Sequence, residues 1–437
     1  MFSTLRGLPA TVRTLFAGTI INRIGCMVTP FLVFFLASRG ITGAETSLIL
    51  GALGAGGLLG PAVGGLLADR IGRRPTMLIG LVGTAAAQGA LFLAPGVALM
   101  ATAALLVSAT NAMVSPAVYA LMADSVEGPH RRQAYALFGW GINIGTSIAG
   151  VLGGFLAAHG YWLLFAVDAA SMLAYALVVA TRLRETRPAK GKGHGADATG
   201  VVAAEATATG GPEAAAAAGA AGAAATGAGA GVKGAGGAGV GYGIVVRDRL
   251  MLLVLPVLGV QSFVYALTEA ALPLAISGSG LSPTVYGTLG AVNAALVVLL
   301  QPLVTTRLAH LPQLSVHAAG SVLVAVGVAM TGLADGVAGY VVSVVVWSLG
   351  EVVVAGISAT VISHLAPPHA RGRYQGALNW TWGVARFTAL TVGVLLYTAA
   401  GPAVLWWTAL VAGVTASALS LGLARRVTAR TRHALAA

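Results

Sequence analysis

Five ionisable residues stand inside long apolar runs of this sequence: Arg23, Asp168, Glu269, Glu351 and Arg386. If those runs cross a bilayer, a charge placed in one costs at least about 2.5 kcal/mol, so it faces a cavity or another charge. The chemistry open to such residues is the binding and release of protons and charged solutes. Arg23 lies about nine residues into its run, roughly 13 Å deep at 1.5 Å per residue. Glu351 and Arg386 lie near the middle of theirs; Glu269 and Asp168 lie nearer one end. Glu351 is the candidate proton carrier, because the proton affinity of a carboxyl changes with burial and with a neighbouring charge such as Arg386. A permanent Glu351–Arg386 ion pair is the structural alternative.

Neutral polar residues accompany these charges. Gln261, Tyr265 and Glu269 recur every four residues, and Asn379, Trp382 and Arg386 share a helical face at spacings of three and four. With Asn22 and Asn143 they describe a wet cavity able to hold a small molecule. Trp380 and Trp406 are expected at the lipid or its interface. Nothing points to an enzyme or to a bound cofactor. There is no phosphate loop of the kind an ATP-driven pump needs, and no Cys/His cluster at metal spacing. The single cysteine, Cys26, excludes a disulfide framework. With Glu351 as proton carrier, the expected energy source is a proton gradient.

The elements that must position these residues are apolar helices. Hydrophobic residues make up 57% of the chain and charged residues 9%, with a mean hydropathy of +0.87, where a soluble domain has about a quarter of its residues charged. Runs long enough for a core about 30 Å thick fall near 14–38, 45–69, 75–94, 97–124, 133–158 and 161–183, then 249–275, 282–308, 314–334, 337–365, 373–399 and 401–425. Their continuity disfavours a β-barrel. The fold class is an all-α polytopic membrane protein of twelve transmembrane helices. The net charge of +12 collects on alternate loops, which by the positive-inside rule places both termini in the cytoplasm of a cell bounded by this inner (plasma) membrane. Anionic lipid headgroups account for the basic excess without nucleic acid. An Ala/Gly-rich tract with few large side chains divides the chain into an N-terminal six-helix bundle, 1–187, a flexible cytoplasmic linker, 188–246, and a C-terminal six-helix bundle, 247–437.

The segment Gly65-Leu-Leu-Ala-Asp69-Arg70-Ile-Gly72-Arg73-Arg74 stands between the second and third runs. It resembles the signature loop of the major facilitator superfamily. Two further segments extend the resemblance: Pro116 through Tyr119 to Asp124, followed by Arg131 and Arg132, and Pro367 through Arg371, Gly372 and Arg373 to Gly376. The place corresponding to the signature loop in the second half, Gln301 to Pro312, lacks its acid and glycine. The resemblance implies two pseudo-symmetric six-helix bundles that rock about a central site. It also implies that Gly65, Asp69, Arg70, Gly72, Arg73, Arg74 and Asp124 form a cytoplasmic gate. In the fifth run Gly145, Gly150, Gly153 and Gly154 resemble the antiporter motif of drug-exporting members, with Ala149 where glycine is usual and Gly150 where proline is usual.

The expected function is secondary active transport by alternating access, most like the twelve-span drug/proton antiporters. The reading is proton-coupled efflux of hydrophobic or amphipathic small molecules, with Glu351, Arg386, Arg23 and Glu269 in proton coupling. The partners are the bilayer, a small-molecule substrate and protons, and the transporter is expected to act as a monomer. Uptake of a metabolite by symport is the second transport reading. A membrane sensor or scaffold that transports nothing is the alternative of another class.

Overall fold

The computed structural model describes residues 10–125, 130–183, 243–308, 310–367 and 370–436. Side chains are described at these positions except 10, 123–125, 130–141, 143, 144, 147, 305 and 431–436. The helices in chain order are α1 (Thr11–Ser38), α2 (Gly43–Arg70), α3 (Arg73–Leu93), α4 (Val97–Ser125), α5 (His130–His159), α6 (Tyr161–Arg182), α7 (Arg249–Gly278), α8 (Pro283–Leu308), α9 (Gln313–Leu333), α10 (Val337–Leu365), α11 (Arg371–Ala400) and α12 (Pro402–Ala436). Eleven are long and apolar enough to cross a membrane among the described residues, and α5 carries the apolar stretch Ile148–His159. The expected spans therefore return with ends shifted by a few residues. Of the segment read as a linker, only Gly243–Val246 is described. It forms one turn of helix, with Val245 buried near Met251 and Leu314.

Proline and glycine explain where the helices break. In α1 the helix stops at Gly25 and resumes at Val28, so that Pro30 falls in the first turn of the new segment, where its missing N–H is not needed. The same device recurs in α7, which is re-initiated at Leu272 with Pro273 beside it. In α10 the break falls at Ala355–Gly356, and Gly356 has φ +75°, a conformation that side chains other than glycine resist. Two π-helical turns, Ala389–Gly393 and Leu396–Ala400, complete α11.

Between helices in lipid the driving force is close packing rather than hydrophobic burial, so small residues mark the seams. Gly56, Gly60 and Gly64 of α2 lie against the carbonyls of Leu105, Ala109 and Met113 of α4, and a methyl group at any of the three would overlap them. Both series advance by four residues, so the two helices run side by side. Large apolar side chains such as Leu177, Leu299, Trp407 and Val411 are exposed, a surface that suits lipid and not water.

The up-and-down order gathers Arg70, Arg73, Arg74, Arg182, Arg249, Arg307, Arg371 and Arg425 at one end of the bundle, here the basic end. Arg39, Glu45, His159 and Asp335 stand at the far end. The named contacts between the first six and last six helices lie between mid-height and the far end. Gly150 and Gly154 of α5 meet Gly287 and Thr284 of α8, and Thr284 Oγ1 donates to the Gly154 carbonyl at 3.2 Å. Ser47 of α2 and Thr398 of α11 are 3.4 Å apart, and Gly51 and Gly54 receive Thr391 and Phe387. Tyr286 of α8 packs on Phe31 and Phe34 of α1, with ring centroids at 5.5 and 5.8 Å.

Candidate functional site

Below this closure the halves enclose a cavity of about 950 Å³ that reaches Leu66 on α2 and Ala377 on α11, toward the basic end. Helices of both halves line it. Arg23 comes from α1, Ser108 and Asn111 from α4, Tyr265 and Glu269 from α7, Asn293 from α8, Glu351 from α10, and Asn379, Trp382 and Arg386 from α11. The charged lining residues among those described are two arginines and two glutamates.

Glu351 is 5% exposed and both of its oxygens are engaged. Tyr265 Oη donates to Oε1 at 2.9 Å, and Asn293 Nδ2 donates to Oε2 at 2.6 Å. Asn293 Nδ2 also lies 3.0 Å from Ser348 Oγ. The carboxyl is thus held by two neutral donors from two other helices. Aromatic rings surround the site: Tyr265 meets Trp347 edge-on at 6.1 Å and Trp382 at 5.7 Å.

The expected alternative of a Glu351–Arg386 pair is not what the structure shows. Arg386 Nε donates to Glu269 Oε2 at 2.8 Å, with about a quarter of each side chain exposed. Glu269 stands one turn beyond Tyr265 on α7, and α7 packs along α11, so Glu269 meets Arg386 while Glu351 faces Tyr265 and Asn293. The Arg386 guanidinium also lies beside Gly57 of α2, where an added methyl would stand 3.5 Å from Nη1.

Two residues expected in the cavity do not line it. Gln261 is buried against α12, its Nε2 3.4 Å from Ser417 Oγ and 3.3 Å from Ser420 Oγ. The helical rotation explains this: eight residues at about 100° each turn Gln261 roughly 80° away from Glu269. Asn22 donates to Met172 Sδ at 2.8 Å and borders a separate niche of about 30 Å³ with Thr19, Tyr119 and Tyr175. Its neighbour Arg23, about 100° round the helix, reaches the main cavity. Asn379 is on the lining, and its Nδ2 donates to the Gln375 carbonyl at 2.6 Å. Trp380 is exposed and borders the cavity mouth. Trp406, expected at lipid, is buried against Gly332 and Tyr397. The side chains of Asn143 and Asp124 lie outside the described residues.

Asn293, Tyr286 and Trp347 went unremarked in the sequence. Tyr286, Gly290, Asn293 and Val297 recur at spacings of three and four and all line the cavity, a periodicity that marks one face of α8.

At the basic end Gly72 has φ +108° and opens α3, which fits the glycine at that place. Asp69 and Arg70 are exposed, and Arg73 is buried. Arg74 donates to the Ala180 carbonyl at the end of α6. In α5, Gly145 and Gly153 admit Arg23 and Phe31 of α1, while Gly150 and Gly154 admit α8, so the four glycines give α5 close contact with a helix on each side. Gly65 is buried in α2.

Comparison with known proteins agrees with this architecture. The chain is 23% identical over 378 residues to the uncharacterised MFS-type transporter YqjV of Bacillus subtilis, covering 84% of this chain and 82% of that one. Over 120 residues it is 31% identical to the multidrug efflux pump LfrA of Mycolicibacterium smegmatis, 27% of this chain and 24% of LfrA. Among solved structures, a POT family transporter in complex with 5-aminolevulinic acid superposes with a TM-score of 0.71 at 14% identity, over 97% of this chain and all of that one. The human organic anion transporter MFSD10 superposes with a TM-score of 0.59 at 17% identity, over 94% of this chain and all of that one. These likenesses show the fold. The model of the Major Facilitator Superfamily matches residues 15–390, and with it the chain, a multi-pass membrane transporter, belongs to that superfamily.

Proposed function

We propose that this protein is a proton-coupled exporter of amphipathic organic cations working by alternating access. The observation that carries the reading is Glu351, a buried carboxyl held by Tyr265 and Asn293 in an aromatic wall of the cavity. An intramembrane carboxyl of this kind marks an ion or substrate pathway. A cation that rests on a ring face of Trp347, Tyr265 or Trp382 gains about 0.5–2 kcal/mol per contact. Proton and organic cation then compete for the same carboxylate, and each displaces the other. With the basic end in the cytoplasm, the contacts at the far end and the cavity reaching the other way describe an inward-facing state. In the outward-facing state Asp69, Arg70, Gly72, Arg73, Arg74 and Asp124 would close the cytoplasmic end by rocking of one half against the other. The relation to LfrA, an efflux pump, supports the same direction.

The test is flux of tetraphenylphosphonium in reconstituted vesicles with an imposed pH gradient. Wild type is expected to move the cation against its gradient, and Glu351→Gln is expected not to. Absence of proton-driven flux in wild type, or normal flux in Glu351→Gln, would sink the reading. Arg23 in the wall of the first half favours a second one, uptake of an anion by symport, in which a proton on Glu351 adds to rather than competes with the substrate. Inward flux of an organic anion down the proton gradient would establish it. A ligand-induced thermal shift without any flux would establish a sensor instead.

A further inference from the structure

Asp168 of α6 is 1% exposed and lies outside the cavity. Its Oδ2 accepts from the Met27 amide at 3.1 Å and the Val28 amide at 2.9 Å. These amides stand at the start of the segment Val28–Ser38, where a broken helix leaves donors without an acceptor. A carboxylate there also suits the positive end of that segment's dipole. The contact ends a continuous seam between α1 and α6. A methyl at Gly18 would overlap the ring of Tyr175, Asn22 bonds to Met172, and a methyl at Gly25 would overlap Ser171. The register runs antiparallel along both helices and is pinned at the break. Five cavity residues flank that break: Arg23, Cys26, Thr29, Pro30 and Phe31.

We infer that Asp168 is a positioning residue for the substrate cavity, acting through α1 without touching the substrate. Pro30 requires a break, because its ring would clash with the carbonyl four residues before it, but a proline does not fix the rotation of the two segments about each other. Asp168 does so by holding two successive amides on one oxygen. A shift of the break by one residue would turn Thr29–Phe31 by about 100° relative to Arg23 and rebuild one wall. The inference rests on the cavity being the substrate site.

Cys26, the single cysteine of the chain, sits at the break and on the cavity lining, so its alkylation by N-ethylmaleimide reads the break directly in the purified full-length protein. In Asp168→Asn the amide oxygen can accept both N–H groups, and both the alkylation rate and tetraphenylphosphonium affinity are expected within about threefold of wild type. In Asp168→Leu the Val28 amide loses its acceptor and the Met27 amide keeps only the Gly25 carbonyl at 2.7 Å, and the alkylation rate is expected to change, and the affinity to fall, by about tenfold or more. Asp168→Ala removes the same acceptor with a smaller side chain, and decides the matter if Asp168→Leu does not fold; the same change in alkylation is expected. Wild-type alkylation in Asp168→Leu, or in Asp168→Ala where the leucine variant fails to fold, overturns the inference. So does a loss in Asp168→Asn as large as in Asp168→Leu. A wild-type protein that binds no tetraphenylphosphonium counts against the substrate reading, while the alkylation rate still decides the role of Asp168.

Discussion

Arg386 on α11 donates to Glu269 on α7 at 2.8 Å, and this pair stands beside Gly57 of the opposite half. One glutamate of the cavity is therefore matched with the guanidinium, and the other, Glu351, is matched with neutral donors. The two acids have different roles open to them: Glu269 fixes Arg386, and Glu351 exchanges its partner.

This separation predicts that the charges of Glu269 and Arg386 can be exchanged between the two positions but not removed singly. Glu269→Gln and Arg386→Leu are each expected to lower transport roughly tenfold, because each breaks a partly buried ion pair. The exchanged pair, Glu269→Arg with Arg386→Glu, is expected to recover most of the loss. Additive losses in that double-mutant cycle, measured as initial rates in vesicles, would show that the pair does not act as a unit.

At Glu351 the expected outcome is loss of coupling, with binding weakened by the missing carboxylate but kept by the aromatic wall. Glu351→Gln retains a side chain that Tyr265 and Asn293 can reach, so downhill tetraphenylphosphonium exchange is expected to persist at a rate within about tenfold of wild type. Accumulation against the gradient is expected to vanish. Comparing counterflow with pH-driven uptake in one vesicle preparation separates the two.

The glycine seams predict two kinds of defect. Gly60→Val drives a branched side chain into the Ala109 carbonyl within the first half, and overpacking costs about 1–3 kcal/mol, read as a fall in Tm. Gly287→Val instead wedges α8 from α5, where Gly150 and Gly154 approach. It is expected to open the far end, making Cys26 accessible to an impermeant thiol reagent from that side while changing Tm less than Gly60→Val.

Asp248, at the start of α7, gives a pH prediction. It caps the helix through the Leu250 and Met251 amides and accepts from Tyr374 Oη at 2.7 Å and from Arg430 Nη1 at 2.8 Å. Burial pushes its carboxyl up, but the hydrogen bonds from Arg430 and Tyr374 and the charge of Arg430 outweigh it and hold the carboxyl below the ordinary aspartate range. A depressed folded value contributes stability that is complete above the unfolded value, near 3.9, and is lost as pH falls through the folded one. Asp248→Asn is therefore expected to lower Tm at neutral pH, with the difference from wild type shrinking as pH drops below about 4. A difference independent of pH would remove the charge from the account.

The span order, the basic end and the signature loop were legible in the sequence because each is written in consecutive residues: apolar runs, arginines between them, and glycines at fixed spacing. The partners of the buried charges were not. A spacing of four drifts by about 40° per step, so Gln261, Tyr265 and Glu269 wind round α7 and only the last two line the cavity. Nothing local to Arg386 says whether α7 or α10 lies beside it. Asp168 is one of five charges in apolar runs, and nothing in its own run points to a partner. Its significance rests on two backbone amides of another helix, and backbone donors leave no letter in a sequence.

The contact of Tyr286 with Phe31 and Phe34 carries a consequence for how the transporter spends its time. Aromatic pairs are worth about 0.5–1.5 kcal/mol each beyond their burial, so separating these two to open the far end forfeits about 1–3 kcal/mol. At 1.4 kcal/mol per factor of ten, that weights the resting population toward the form described here by about 5- to 150-fold. New contacts at the basic end must repay it before the balance tips. An idle transporter would then wait with its binding site turned toward the basic end, and thinning of that one aromatic contact would be enough to shorten the wait.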